Sequence, residues 1–169
     1  MWNLTKKILM SDIKTEKFVE QNQQVEKIGD ALSKNIKKRF NRSLHIRMVD
    51  AGSCNGCELE IQAIHNPYYN LEQFGIQFVA SPRHADMLLV TGPVTKNMKE
   101  ALVKTFDAMP NPKLVVAIGD CGHCGGVFKD SYAVIGAVSK VIPVNYIVKG
   151  CPPKPIDILS GILHAITCS

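Results

Sequence analysis

Met87-Leu88-Leu89-Val90 and Leu114-Val115-Val116-Ala117-Ile118 are the two stretches that decide the fold expected for this chain of 169 residues. Continuous apolar runs of this length are typical of strands buried on both faces of a parallel sheet. Further candidate strands lie at 44–49, 76–80 and 145–148, and helical segments are predicted near 58–73, 95–108, 131–139 and 154–167. This alternation predicts an α/β fold with a doubly wound, mostly parallel, flavodoxin-like sheet.

The N-terminal part of the chain differs in composition, and we expect a basic helical arm at residues 1–42 before an α/β domain at 43–169. From Val25 to Phe40 the apolar residues recur every three or four positions, as in an amphipathic helix. Residues 1–50 carry eleven Lys or Arg against six Asp or Glu, whereas the remainder carries nine of each. The arm is therefore either a solvated basic helix or a contact for a partner subunit or lipid headgroups. Nucleic acid is disfavoured, because the arm lacks the aromatic residues that stack bases.

The cysteine content points to metal or redox chemistry rather than to disulfides. No apolar run reaches the roughly 18 residues that cross a bilayer. The run after Lys6 and Lys7 is too short for a secretion signal, so we expect a protein that stays inside the cell. The cytoplasm keeps thiols reduced, and six cysteines there favour metal binding or redox chemistry.

Five of these cysteines follow predicted strands. Cys54 and Cys57 form a CxxC after the first strand, Cys121 and Cys124 form another after the strand at 114–118, and Cys151 follows the last strand. Ligands collect outside the carboxyl ends of parallel strands, so thiols from these loops are expected to converge. Four thiolates suit either zinc or an iron–sulfur cluster. Their wide separation in sequence favours a cluster in a preformed pocket, and a thioredoxin-like dithiol would leave the later cysteines unexplained.

Three short motifs carry a resemblance to a known family. Cys54-Asn-Gly-Cys57, Gly119-Asp-Cys121 and Gly150-Cys-Pro-Pro153 resemble the small subunits of nickel–iron hydrogenases. The segment from Ser81 to Pro93 resembles the group shared with the twenty-kilodalton cluster subunit of respiratory complex I, and the resemblance covers about residues 43–166. Complex I subunits have adjacent cysteines in the first motif, and longer hydrogenase subunits carry additional cysteines. The chain is therefore most similar to the short small subunit of an energy-converting, formate hydrogenlyase-type hydrogenase.

This resemblance implies an oxidoreductase subunit that relays electrons and contains no catalytic residue of its own. It implies one 4Fe-4S cluster, proximal to the active site, with Cys54, Cys57, Cys121 and Cys151 as ligands. The implied partners are a nickel–iron hydrogenase large subunit, a ferredoxin-like iron–sulfur subunit and membrane-arm subunits, on the cytoplasmic side of the cell membrane. Two alternatives stay open: a related quinone or sulfur reductase with the same cluster, and a zinc-stabilised interaction module.

Several other residues are weaker candidates. Cys124 competes with Cys121 as the third ligand, and His123 is placed to hydrogen-bond a cluster sulfur. Glu58 and Glu60 flank the first cysteine loop, and Glu60 is the preferred candidate for passing protons towards the partner's active site. Arg83 and His84 either face a partner or the cluster, or form an ordinary turn with Asp86, while Cys168 is expected to be a bystander.

Overall fold

The computed structural model describes Lys6 and residues 23–168. The helices are α1 Gln23–Phe40, α2 Gly56–Ala63, α3 Lys99–Ala108, α4 Gly119–Cys124 and α5 Pro155–Thr167. The strands are β1 Leu44–Asp50, β2 Ile76–Phe78, β3 Met87–Thr91, β4 Val94–Thr95, β5 Leu114–Ile118, β6 Val134–Gly136 and β7 Tyr146–Val148. Short 3₁₀ turns lie at Leu71–Phe74, Pro82–His84, Gly126–Phe128 and Val138–Lys140.

The main sheet has five parallel strands in the order β2-β1-β3-β5-β7, and β4 pairs with β6 in a small antiparallel sheet. The first strand lies inside the main sheet, and the chain winds outward from it in both directions, which is the doubly wound arrangement. The predicted fold class is confirmed. The two runs that decided the prediction form β3 and β5, and every residue of both strands is buried.

Side chains of these central strands alternate between two hydrophobic cores. Leu89 and Val116 face the first core, which the helices α1, α2 and α5 cover. Leu88 and Val115 face the second, where they meet Leu102 of α3. Complete burial of a leucine side chain stabilises the fold by about 1.5–3 kcal/mol. Both faces of the central strands are therefore apolar, which explains why their sequence does not alternate.

Helix α1 confirms the helical spacing predicted from Val25 onward. Its apolar side is buried against the body of the same chain, and a Cβ atom built on Gly29 would lie 2.1 Å from the Phe74 ring. At its end, Arg39 Nη1 donates a hydrogen bond to the Ile166 carbonyl oxygen at 2.6 Å, in the last turn of α5. Most of the predicted arm before residue 23 lies outside the described residues, and the domain division at residue 42 stays a prediction.

The helix predicted near 131–139 is wrong. This segment forms β6 and the turn Val138–Lys140 instead. The Lys96 amide donates to the Ala133 carbonyl oxygen at 2.8 Å, next to the pairing of β6 with β4. Gly136 has a φ of +118°, which no helical residue adopts. The pairing partner lies about forty residues earlier in the chain, so local spacing could not indicate it.

The other predicted helices start or end differently. Helix α2 stops at Ala63, a turn containing Pro67 follows, and only the 3₁₀ turn at Leu71–Phe74 continues the predicted segment. Helix α3 begins at Lys99 because β4 precedes it, and the short helix α4 was not predicted. Among the described residues, no helix combines the length and the apolar character that a bilayer span requires.

Candidate metal centre

The loops that follow β1, β5 and β7 lie side by side at the carboxyl edge of the main sheet. They carry Cys54 and Cys57, Cys121 and Cys124, and Cys151, respectively. Strands β1 and β5 both pair with β3, and β5 also pairs with β7, so the three loops emerge from neighbouring strands. The expected convergence of the cysteine loops at this edge is confirmed.

The first loop is folded by a short-range hydrogen-bonding pattern around Asp50. Its carboxylate Oδ1 accepts hydrogen bonds from the amides of Gly52 and Ser53, both at 2.7 Å. Asn55 then adopts a left-handed conformation with φ 71°, immediately before the first residue of α2. An aspartate that accepts from amides two and three residues later stabilises a tight turn. This turn presents Cys54 at the surface and buries Cys57 in the first turn of α2.

The second and third loops are joined by Asp120. Its carboxylate Oδ1 accepts a hydrogen bond from the Gly150 amide at 2.9 Å. Its own amide donates to the Gly150 carbonyl oxygen, also at 2.9 Å. Asp120 precedes Cys121 and Gly150 precedes Cys151, so this pair of bonds fixes the two cysteines relative to each other.

Glycines leave the space that the thiols occupy. A Cβ atom on Gly119 would lie 2.8 Å from Cys57 Sγ, and one on Gly126 would lie 2.7 Å from Cys121 Sγ. Real Cβ atoms do not approach sulfur so closely, because repulsion rises steeply below van der Waals contact. The backbone at Gly119 and Gly126 therefore packs directly against the sulfur atoms of Cys57 and Cys121.

The pKa of Cys57 is raised from 9.0 to about 12, chiefly by burial and in addition by the charges of Glu58, Cys121, Cys54 and Cys151. Burial also raises the pKa of Cys121, as do Cys151 and Cys54, whereas a backbone hydrogen bond from Val127 lowers it. These mutual effects require short separations, because Coulomb interactions weaken with distance. Cys54, Cys57, Cys121 and Cys151 are thus within electrostatic range of one another.

Cys124 is arranged differently from Cys121. Its thiol is exposed and donates to the Asp120 carbonyl oxygen at 3.3 Å. Cys124 is not among the groups that shift the pKa of Cys57 or of Cys121. The geometry therefore favours Cys121 over Cys124 as the fourth member of the thiol group, and its role as a ligand stays a prediction.

A donor set of four thiols suits either a zinc ion or an iron–sulfur cluster. Zinc holds sulfur at about 2.3 Å, so four thiolates around one zinc ion lie within about 4 Å of one another. Among the described residues, no group of three or more His, Cys, Asp or Glu side chains is close enough together to hold a metal ion. A four-iron cluster takes one thiolate at each iron and spaces its ligands more widely. Four neighbouring thiols in a partly buried, glycine-lined cradle match that requirement.

The acidic candidates beside the thiols differ in burial. Glu58 is only 5% exposed, and neither of its carboxylate oxygens finds a hydrogen-bond partner in the described part of the chain. Glu60, the candidate preferred from the sequence, is half-buried. Residue spacing alone does not distinguish the two glutamates, and a role in proton transfer stays a prediction for both.

None of the remaining candidates is among the groups that shift the pKa of Cys57 or of Cys121. His123 and Cys168 are exposed. Arg83 and His84 lie before β3, at the opposite edge of the sheet from the cysteine loops. Asp120 belongs to the Gly119-Asp-Cys121 motif but was not a predicted site residue, because nothing local indicates its bond to Gly150 thirty residues later.

The family model described as “NADH ubiquinone oxidoreductase, 20 Kd subunit” matches residues 54–165. The chain belongs to this family. The matched range begins at Cys54 and contains all four neighbouring thiols. The resemblance indicated by the sequence motifs is thereby confirmed, and members of this family are subunits of oxidoreductase complexes.

Two curated family members come from hydrogenase systems. Formate hydrogenlyase subunit 7 of Escherichia coli (strain K12) is 42% identical over 136 residues, which are 80% of this chain and 53% of that protein. The chain thus spans about half the length of that relative. The probable membrane-bound hydrogenase subunit mbhJ of Pyrococcus furiosus is 46% identical over 129 residues, 76% of this chain and 77% of that protein.

A solved structure extends the family to a different reaction. A chain of the membrane-bound sulfane sulfur reductase, an archaeal respiratory membrane complex, aligns with a TM-score of 0.67 at 33% identity. The alignment covers 82% of this chain and 77% of that chain. The same fold therefore occurs in membrane-bound complexes with hydrogenase and with sulfur reductase names.

Proposed function

We propose that this chain is the electron-transfer small subunit of a membrane-associated nickel–iron hydrogenase complex. In this proposal Cys54, Cys57, Cys121 and Cys151 hold one 4Fe-4S cluster between the active site of a large subunit and a ferredoxin-like subunit. The observation that supports it most is that the loops with these four cysteines follow neighbouring strands at one edge of the main sheet. The chain would bind peripherally, on the cytoplasmic side of the membrane.

The chain's own residues would determine how the centre works. A bound 4Fe-4S cluster supplies one-electron chemistry, and its potential depends on burial, charge and hydrogen bonds to sulfur. Cys57 and Cys121 are buried, which keeps one side of the site away from water. The Val127 backbone supplies a hydrogen bond to the Cys121 thiol. Asp120 holds the loops of Cys121 and Cys151 together, so the site needs little rearrangement on electron transfer.

Exposed apolar side chains beside the thiols support a partner at this edge. Leu59 is 56% exposed two residues after Cys57, and Val127 is 84% exposed at the 3₁₀ turn after α4. Large apolar side chains that face solvent next to a candidate electron-transfer site are typical of a subunit interface. The nickel–iron large subunit is the partner that we propose for this surface.

The complex isolated without oxygen tests the proposal. We expect this chain to contribute four iron atoms per copy to the iron content of the complex. We also expect an electron paramagnetic resonance signal of a reduced 4Fe-4S cluster, and hydrogen uptake by the complex. Zinc in place of iron would instead support the interaction module. To assign the signal, spectra of the wild-type complex should be compared with those of Cys57→Ser and of Cys168→Ser, whose thiol lies outside the site.

The sulfur reductase structure supports a second candidate with the same cluster. In that case the complex would reduce sulfane sulfur or a quinone, and no nickel would be present. Nickel content and hydrogen uptake of the isolated complex, measured beside sulfide production from polysulfide, separate the two functions. Sulfide production without nickel or hydrogen uptake would replace the hydrogenase assignment and leave the cluster proposal intact.

A further inference from the structure

A cavity of about 540 Å³ lies at the edge of the main sheet opposite the cysteine loops. Arg42, His45, Arg83 and His84 contribute to its walls, together with Gln77 of β2. These residues lie before β1, at its start and before β3, which are the amino ends of strands whose carboxyl edge carries the cysteines. The cavity is therefore separate from the thiol site.

An unusual crossover leaves this part of the sheet open. The connection from β2 to β3 spans only residues 79–86 and contains one 3₁₀ turn, whereas most parallel crossovers contain a helix. His45 and Gln77 are register partners in β1 and β2, and both side chains line the cavity. The next pair, Ile46 and Phe78, belongs to the first hydrophobic core. Polar side chains thus occupy the sheet face that a crossover helix would otherwise cover.

Among the residues that the structure describes, two arginines but only one aspartate lie in or beside this cavity. Asp86 accepts two hydrogen bonds here: its Oδ1 accepts from Arg42 Nη2 at 2.6 Å, and its Oδ2 accepts from the His45 backbone amide at 3.1 Å. Asp86 is thus satisfied on both oxygens. Arg83 is exposed and forms no hydrogen bond or ion pair with any described residue. One guanidinium is paired with a carboxylate, and a second faces the same cavity unpaired.

We propose that this cavity receives a carboxylate side chain from an acidic segment of a partner subunit, with Arg83 as its anchor. A guanidinium presents a planar fork of N–H donors that matches a carboxylate and can form two parallel hydrogen bonds with it. The Arg42–Asp86 pair shows a guanidinium–carboxylate contact within the chain, through one hydrogen bond of 2.6 Å. The cavity has more positively than negatively charged side chains among the described residues, and the sheet face beside it is open. An acidic group from another molecule would therefore complement it. A protein is favoured over a lipid because the named family members are subunits of larger complexes.

This inference rests on the proposed function only in that it requires a partner subunit. Zero-length cross-linking of the intact complex tests the inference. Arg83→Lys keeps the charge and introduces an amine, which a carbodiimide joins only to a carboxylate in direct contact, with loss of one water. We expect a new amide link from position 83 to an Asp or Glu of another subunit, located by mass spectrometry. Lys104 and Glu100, 2.7 Å apart on α3, provide a positive control in the same sample.

A second variant pair measures how much the contact contributes. Arg83→Gln and Lys104→Gln each remove one positive charge from an exposed side chain. We expect Arg83→Gln to weaken association of this subunit with the complex by about tenfold or more, because it leaves a partner carboxylate unpaired. Lys104→Gln should change association by less than about twofold, as for an exposed ion pair.

Two results would overturn the inference. One is a cross-link from position 83 only to Asp86, or none, while the Lys104–Glu100 link forms. The other is binding of the full chain to phosphatidylglycerol vesicles that Arg83→Gln abolishes, without any effect on subunit association, which would assign the cavity to lipid. Two controls distinguish a failure of this inference from a failure of the cluster proposal. Arg83→Lys should leave the iron content unchanged, and Cys57→Ser should leave the cross-link intact.

Discussion

Asp120 and Gly150 exchange two hydrogen bonds of 2.9 Å, one through the aspartate side chain and one through its amide. The two residues lie thirty positions apart in sequence and directly precede Cys121 and Cys151. A side-chain acceptor that bonds to the backbone of a neighbouring loop fixes both the distance and the orientation of the loops. The geometry of half of the candidate ligand set therefore depends on a residue that is not itself a ligand.

Asp120→Ala should loosen the link between the two loops. It removes the acceptor of the Gly150 amide, and the loss of a hydrogen bond to a charged group destabilises a protein by about 1.5–3 kcal/mol. Asp120→Asn retains a carbonyl oxygen as acceptor and should cost less. Urea unfolding and the cluster signal in electron paramagnetic resonance check this, with Asp130→Ala, on an exposed nearby residue, as control. Equal effects of the Ala and Asn variants would contradict the proposed role.

Serine substitutions should separate the two adjacent CxxC cysteines. We expect Cys121→Ser to lose most of its iron and the spectrum of a 4Fe-4S cluster, because its thiol is buried, as is that of Cys57, and is electrostatically coupled to Cys54 and Cys151. Cys124→Ser should retain both, because its thiol is exposed and bonds to the Asp120 carbonyl oxygen. Iron analysis and electron paramagnetic resonance of the two variants provide the measurement. Loss of the cluster only in Cys124→Ser would reverse the assignment.

Gly119→Ala should be more damaging than the same change at Gly75. Both glycines are in the left-handed region, with φ +82° and +80°, where a Cβ atom costs about 1–2 kcal/mol. The Cβ at position 75 meets nothing within 4 Å, whereas the one at position 119 lies 2.8 Å from Cys57 Sγ. The clash should add about 1–3 kcal/mol of overpacking.

Unfolding free energies and iron content of the two glycine variants check this difference. Both variants carry the same free-energy cost of a Cβ atom in the left-handed conformation. The difference between their unfolding free energies therefore measures the contact of the Cβ at position 119 with the Cys57 sulfur. We expect Gly75→Ala to keep its iron and Gly119→Ala to lose it. If the two variants were equally stable and equally loaded, the space beside Cys57 would not be part of the site.

The cofactor-free chain should lose stability in alkali. The pKa of Cys57 is raised from 9.0 to about 12 in the folded state, so the folded chain holds the thiol proton more tightly than the unfolded chain does. Its contribution is complete below pH 9 and is lost as the pH rises towards 12. At pH 10 the loss is about 1 kcal/mol relative to pH 8.

Urea unfolding at pH 8 and pH 10 measures this effect, with Cys57→Ala and Cys168→Ala beside the wild type. Other groups titrate in the same range, so the informative quantity is the difference between variants. Cys57→Ala should show the weaker dependence on pH, whereas Cys168→Ala, on an exposed thiol, should follow the wild type. The same dependence in all three proteins would place the titrating group elsewhere.

Local sequence was sufficient for the central strands and for the cysteine loops. Residues 87–90 and 114–118 are apolar throughout, and such runs favour buried parallel strands whatever their partners are. The order of strand, cysteine and glycine also placed the three loops at one edge, since parallel strands share their carboxyl ends. These predictions needed only the apolar runs, the alternation of strands and helices, and the positions of the cysteines after predicted strands.

Only the tertiary structure decided which side chains meet. It paired β6 with β4, put Cys121 rather than Cys124 among the thiols, and buried Glu58 while leaving Glu60 half-exposed. It also supplied the surface that α1 needs, from Phe74 and α5 of the same chain. The physical reason is that burial, electrostatic coupling and hydrogen bonds between loops depend on residues tens of positions apart, whose separation in space no local pattern encodes.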